Sequence, residues 1–214
     1  MDSKKATTHK WSGIPFESLT EPQKSFLKKI ISEPEKSYFL KGCAGSGKTV
    51  IAAHVLSLIK NNTNKTVGFL VYTKLLRKFI EDGFEDSSAF GEILHVSDWY
   101  YRARNKKDIF LIDECQDFNS IWVDAVREKS SCQIWLGDES QQIYEEARDS
   151  GGYSKINNAF NNSDITTLDV NYRNCLFVAQ FASRFITLND SDRTQGLTLP
   201  EKIENFINPI LNNP

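Results

Sequence analysis

At 214 residues, with 40% hydrophobic and 25% charged side chains, the chain is long enough for one self-supporting domain with an appendage. Its formal net charge of -2 excludes nucleic-acid binding by bulk positive charge and leaves room only for a local patch. Cys43, Cys115, Cys132 and Cys175 are scattered without metal-ligand spacing, and no run reaches the ~20 apolar residues of a membrane span. A reduced, cytoplasmic protein without a membrane partner is the expectation.

In chain order, residues 1–12 read as a flexible, polar lead-in with no apolar stretch fit for a signal peptide. Residues 20–31, TEPQKSFLKKII, form a helix pattern with Thr20 as N-cap and Phe26, Leu27, Ile30 and Ile31 on the buried side. Short apolar runs follow at residues 38–40, 67–72, 92–96, 109–113, 133–137 and 165–168. Helical patterns lie between and after them, at residues 48–60, 74–81, 121–129 and 174–187. Buried strands alternating with helices predict an α/β fold, a mostly parallel sheet with helices on both faces. From residue 189 onward the chain is polar and Pro-punctuated, apart from Ile203, Phe206, Ile207 and Ile210, which have the spacing of a small helix.

Between the first strand and the second helix stand Gly42, Cys43, Ala44, Gly45, Ser46, Gly47, Lys48 and Thr49, a complete G-x-x-x-x-G-K-[ST] pattern. The glycines let backbone N–H groups converge on phosphate oxygens, and the helix N-terminus adds its positive dipole end. Lys48 supplies a cation for the β- and γ-phosphates of ATP, and the Thr49 hydroxyl is a magnesium ligand. A Gly-rich turn that happens to contain GKT is the bland alternative, and the flanking strand and helix weigh against it.

The apolar run at residues 109–112 stops at Asp113-Glu114. A carboxylate at the carboxyl end of a buried parallel strand lies beside such a phosphate loop. Asp113 would hold magnesium, and Glu114 would act as general base toward the attacking water. Read alone, two acids at a strand end are equally well a strand running into a polar loop.

The wording around these residues is more specific. Asp113-Glu114-Cys115-Gln116-Asp117 resembles DExQD, residues 137–144 (GDESQQIY) resemble GDxxQxIY, and Asn171-Tyr172-Arg173 resembles NYR. Residues 19–23 look like a Q motif and residues 71–74 like motif Ia. With the phosphate loop, these six occur in the order found in superfamily 1 DNA helicases of the UvrD/Rep type, over roughly residues 19–174. The resemblance implies a RecA-like P-loop NTPase domain at residues 13–170, with residues 171–214 as the truncated start of a second domain. It implies that Gln23 hydrogen-bonds the adenine edge, Tyr172 stacks on adenine, Gln141 senses the γ-phosphate and Gln116 links the acidic motif to the GDxxQxIY motif. Arg173 would stabilise the transferring phosphoryl group. The bland readings are an exposed helix residue for Gln23, and packing or surface residues for Tyr172 and Arg173.

Three departures stand beside the matches. The family's later motifs have no room after Arg173. Only residues 81–108 separate motif Ia from the acidic motif, and they hold Trp99, Tyr100 and Tyr101 beside Arg102 and Arg104, aromatics suited to base stacking or, more commonly, to burial. Glu145 and Glu146 follow Tyr144 where relatives carry an aromatic and an arginine, and carboxylates repel phosphate; Val50 stands where many relatives place an arginine. Two functions compete. One is a magnesium-dependent ATPase coupled to single-stranded DNA or RNA. The other is a nucleotide-binding half-helicase, a switch or subunit whose cleft a second protein completes. A fragment of a full-length helicase is a third reading, and a small-molecule P-loop kinase is a distant fourth. Strand unwinding by the chain alone is not expected.

Overall fold

The short apolar runs assemble into a six-stranded sheet in the order β3-β2-β4-β5-β1-β6, with every neighbouring pair parallel. The strands are β1 (Tyr38–Gly42), β2 (Val67–Val71), β3 (Glu92–His95), β4 (Ile109–Ile112), β5 (Cys132–Gly137) and β6 (Ile165–Leu168). The helices are α1 (Glu21–Ser32), α2 (Lys48–Asn62), α3 (Lys74–Gly83), α4 (Val96–Asp98), α5 (Ser120–Lys129), α6 (Glu145–Asp149) and α7 (Gly152–Asn157). The computed structural model describes residues 14–83 and 92–172. All of them lie in the first of the chain's two compact units, Met1–Arg173.

Alternation along each strand sends its side chains to two separate cores. Tyr38, Leu40, Phe69, Val71, Leu111, Ile134 and Leu136 pack on one face with Phe26 and Leu27 of α1, Ile51 to Ile59 of α2 and Ile80 of α3. Phe39, Leu70, Phe110, Ile112 and Trp135 face the other way, onto Val123 and Val126 of α5 and Tyr153 and Ile156 of α7. Helices therefore cover both faces, as the strand-helix alternation predicts. Each fully buried large apolar side chain contributes about 1.5–3 kcal/mol, so the central strands, covered on both sides, hold the sheet.

Local signals set the helix ends. Pro22 stands in the first turn of α1, and the Thr20 N–H donates to Gln23 Oε1 at 2.9 Å, half of a capping box. Asn119 caps α5 by accepting the Trp122 N–H at 2.9 Å. After α4 the chain makes a π-helical turn, Trp99–Ala103, and leaves it through Arg104 at φ 38°. This turn divides the aromatic cluster. Trp99 is buried with its ring edge-on to Phe110, Tyr100 is half-buried, and Tyr101 is exposed. α4, α6 and α7 are helices that the sequence pattern does not announce. The helix expected at residues 174–187 lies outside the described residues. Among the described residues no helix is long and apolar enough to cross a membrane.

Candidate active site

β1 ends at Gly42 and α2 begins at Lys48, and the loop between them turns through Gly45 at φ 73° and Gly47 at φ 89°. Both angles lie in the left-handed region that glycine adopts without penalty. Lys48 is buried, and its ammonium donates to the carbonyls of Gly42 at 2.8 Å and Cys43 at 3.3 Å. The segment leaving β6 lies along the same loop: the Cys43 N–H donates to the Leu168 carbonyl at 3.2 Å, and the Tyr172 N–H to the Gly45 carbonyl at 2.9 Å. The Tyr172 ring stays about half exposed beside the loop. An open cleft of about 390 Å³ is bordered by residues 44–50, Glu114 and Gln141.

Asp113 follows β4, and β5 separates that strand from β1. The Asp113 carboxylate nevertheless accepts the Thr49 hydroxyl at 3.2 Å and the Glu114 N–H at 3.0 Å. Burial, and then the charge of Glu114, push its pKa up from 3.8 to about 7, while Lys48 pulls it back. Glu114 adopts φ 52°, a strained conformation for a side chain of its size. Its carboxylate accepts Gln116 Nε2 at 2.9 Å. Gln116 Oε1 in turn accepts the Asp138 N–H at 3.0 Å, and the Gln116 carbonyl accepts Gln142 Nε2. Asp138 also accepts Gln141 Nε2 at 2.6 Å. Gly137, the last residue of β5, makes this approach possible. A Cβ there would stand 2.5 Å from Cys115 Sγ and 2.9 Å from Gln116 Oε1. Asp117 is buried behind the network, and burial together with Glu114 raises its pKa to about 6.

Gln23 also reaches the loop, donating from Nε2 to the Ser46 carbonyl at 3.0 Å. The structure thus gathers Gln23, residues 42–49, Asp113, Glu114, Gln141 and Tyr172 around one cleft. Arg173 lies outside the described residues. The sequence reading missed the role of Asp138, which stands inside GDESQQIY and joins Gln116 to Gln141. It also missed a set of rings at the same end of the sheet: Tyr72 lies 4.5 Å from Tyr144 and 6.1 Å from Trp122, centroid to centroid.

The donor set fits magnesium. Thr49 and Asp113 offer two hard oxygen ligands, and this ion commonly takes one or two protein groups with the rest from phosphates and water. Among the described residues no group of three or more His, Cys, Asp or Glu side chains forms a closed metal cage. Asp113 and Glu114 face a single ammonium, an excess of negative charge that a dication would offset.

The parallel order, the phosphate loop and the carboxylate pair together define an α/β P-loop fold of the RecA-like class, the fold of helicase motor domains. The chain belongs to the family described as the type III restriction enzyme, res subunit (ResIII), which matches residues 17–165. Among solved structures it resembles a Pif1 helicase studied at forked double-stranded DNA, with TM-score 0.50 and 16% identity over 86% of this chain and 50% of that one. The Pif1 helicase of Candida albicans gives TM-score 0.50 and 17% identity over 79% and 43%. The Sulfolobus solfataricus SWI2/SNF2 ATPase core, in complex with double-stranded DNA, gives 0.51 and 16% over 71% and 44%. At such identities the likeness is one of fold. The chain spans half or less of the length of these relatives. No curated protein matches it.

Proposed function

We propose that the chain is the ATP-hydrolysing motor module of a superfamily 1 helicase of the UvrD/Rep type, using magnesium and responding to single-stranded DNA or RNA. The observation that carries this reading is the continuous path from Thr49 through Asp113 and Glu114 to Gln116, Asp138 and Gln141. A P-loop serving only to bind phosphate has no need of the last three.

In this reading the Lys48 ammonium exchanges its two carbonyl partners for the β- and γ-phosphate oxygens. Thr49 and Asp113 hold magnesium, which when bound offsets phosphate charge. Glu114, kept in place by Gln116, accepts a proton from the attacking water. Gln141 releases Asp138 to meet the γ-phosphate, Tyr172 stacks on the base, and Arg173 adds a guanidinium to the transferring phosphoryl group. The rings of Tyr72, Trp122 and Tyr144 offer a stacking face to unpaired bases.

One observation favours the second reading, a nucleotide-binding switch completed by another protein. Glu145 and Glu146 are exposed beside Tyr144 and oppose the approach of a phosphate backbone. The experiment that separates the two is ATP turnover by the purified chain with and without single-stranded DNA. Stimulated turnover lost in Lys48→Ala supports the motor reading. Tight ATP binding with negligible turnover in both conditions selects the switch.

A further inference from the structure

The aromatic cluster after β3 takes no part in the cleft. Trp99 anchors it: the ring is buried, and its indole N–H donates to the Asn105 carbonyl at 3.2 Å. Residues 101–106 stand exposed without interruption around that anchor. Tyr101 is 75% exposed and meets the half-buried Tyr100 edge-on, with centroids 4.9 Å apart. The Arg104 guanidinium lies over the Tyr100 ring at 5.1 Å. Arg104 reaches it from φ 38°, its N–H donating to the Trp99 carbonyl at 2.6 Å. A side chain of this size enters the left-handed region only where its surroundings enforce it, and such strain gathers at functional positions.

The same stretch concentrates positive charge. Residues 101–107 carry Arg102, Arg104, Lys106 and Lys107 and no acid, in a chain of net charge -2. Lys129 of α5 stands beside them, its carbonyl accepting the Lys107 N–H at 3.1 Å. Three carboxylates answer these five cations. Asp98 lies 3.5 Å from Arg102, Glu92 3.2 Å from Lys107, and Glu128 3.0 Å from Arg104 and 2.8 Å from Lys129. Asp108 is turned to Thr66, accepting its N–H at 2.7 Å and its hydroxyl at 2.6 Å. Lys106 has no ion pair among the described residues. The pairs are at the surface, where such bonds are worth little, so a phosphate oxygen can replace a carboxylate on Arg102 or Arg104 at small cost. Exposed cations around an exposed ring suit a flexible polyanion that carries planar groups. A duplex hides its base faces, and an acidic peptide leaves the ring unused.

We infer that residues 100–106 form a contact surface for single-stranded nucleic acid, with a base on Tyr101 and phosphates on Arg102, Arg104 and Lys106. It lies at the foot of β4, the opposite end of that strand from Asp113, and is separate from the rings of Tyr72, Trp122 and Tyr144. This rests on reading the chain as responsive to single strands.

The test titrates the full chain with a fluorescent single-stranded DNA and with an abasic strand of equal length, over a range of salt. Replacing both Arg102 and Lys106 by Ala should flatten the plot of log K against log salt by about 1.4, since each lost phosphate contact removes about 0.7. Tyr101→Ala should weaken the DNA about five- to a hundredfold with the salt slope unchanged, and should not affect the abasic strand. Melting temperature and ATP turnover without DNA are expected to stay the same in each variant. An unchanged slope in the double variant would overturn the inference, as would a Tyr101→Ala effect equal on both strands. Displacement of the DNA by polyglutamate as effectively as by unlabelled DNA would assign the surface to an acidic protein instead. Strand-stimulated turnover lost in Tyr72→Ala, with binding untouched by the substitutions at 101, 102 and 106, would sink this surface and leave the motor reading standing. If no strand binds the unaltered chain, the strand-responsive reading itself falls.

Discussion

Gln116 holds the Glu114 carboxylate at 2.9 Å with the same amide whose oxygen takes the Asp138 N–H at 3.0 Å. One side chain thus sets the position of the proposed base and ties it to the loop after β5. Gln116→Ala leaves the phosphate loop intact and frees Glu114 to swing. Steady-state ATPase assays should show kcat down by about ten- to a hundredfold, with KM for ATP within about threefold. A large rise in KM with kcat unchanged would place Gln116 in ground-state binding instead.

Glu114→Gln keeps the size of the side chain and removes its basicity. Hydrolysis is expected to fall by about 10²- to 10⁴-fold while ATP stays bound. Single-turnover measurements with labelled ATP would show the trapped complex. Hydrolysis at the original rate would exclude Glu114 as the base.

Gly137→Ala drives a methyl group against Cys115 Sγ and Gln116 Oε1. The packed turn behind β5 must shift, at a cost of about 1–3 kcal/mol. A lower urea midpoint with an unchanged slope is the expected signature, together with a drop in kcat resembling that of Gln116→Ala.

Two carboxyls give the nucleotide-free chain a pH dependence. Asp113 is raised to about 7 and Asp117 to about 6, each from 3.8. Both folded values exceed the unfolded ones, so from about pH 4 to about 7 the folded chain binds more protons, and its stability falls as pH rises. Asp108 and Asp164, held below 3.8 by hydrogen bonds, act at lower pH; His54, lowered from 6.5 by burial, is one group that opposes the trend below about pH 6.5, against two carboxyls that produce it. Thermal melts in a chelator should give a lower Tm at about pH 8 than at about pH 5.5. Asp113→Asn should raise the value at the higher pH and flatten the slope. An unchanged slope in the variant carrying Asp113→Asn and Asp117→Asn would trace it to other groups.

The strands were legible because each is a short apolar run bounded by polar residues. Ile165–Leu168 matches the expected residues, and the expected run at 109–113 differs from Ile109–Ile112 by one position. The phosphate loop and acidic pair were legible because spacing and residue type together define them. Strand order was not: nothing in the run at residues 165–168 says that it pairs with β1. α6 and α7, EEARD and GYSKIN, were missed because five or six residues hold too little apolar periodicity to register. Gln23 shows a different limit. Its place in a motif was readable, but the partners of its amide depend on Thr20 and Ser46 meeting in space.

A sheet with all its strands running one way has a working edge and a foundation. Cleft, carboxylates and aromatic rings all collect where the strands end. At the starts of β4 and β5, an apolar hollow beside Ile30, Pro34 and Cys132 takes no part in that chemistry. Labels, affinity tags or stabilising substitutions placed on that lower rim would leave turnover untouched. That makes it the natural anchorage for immobilising the chain while watching it work.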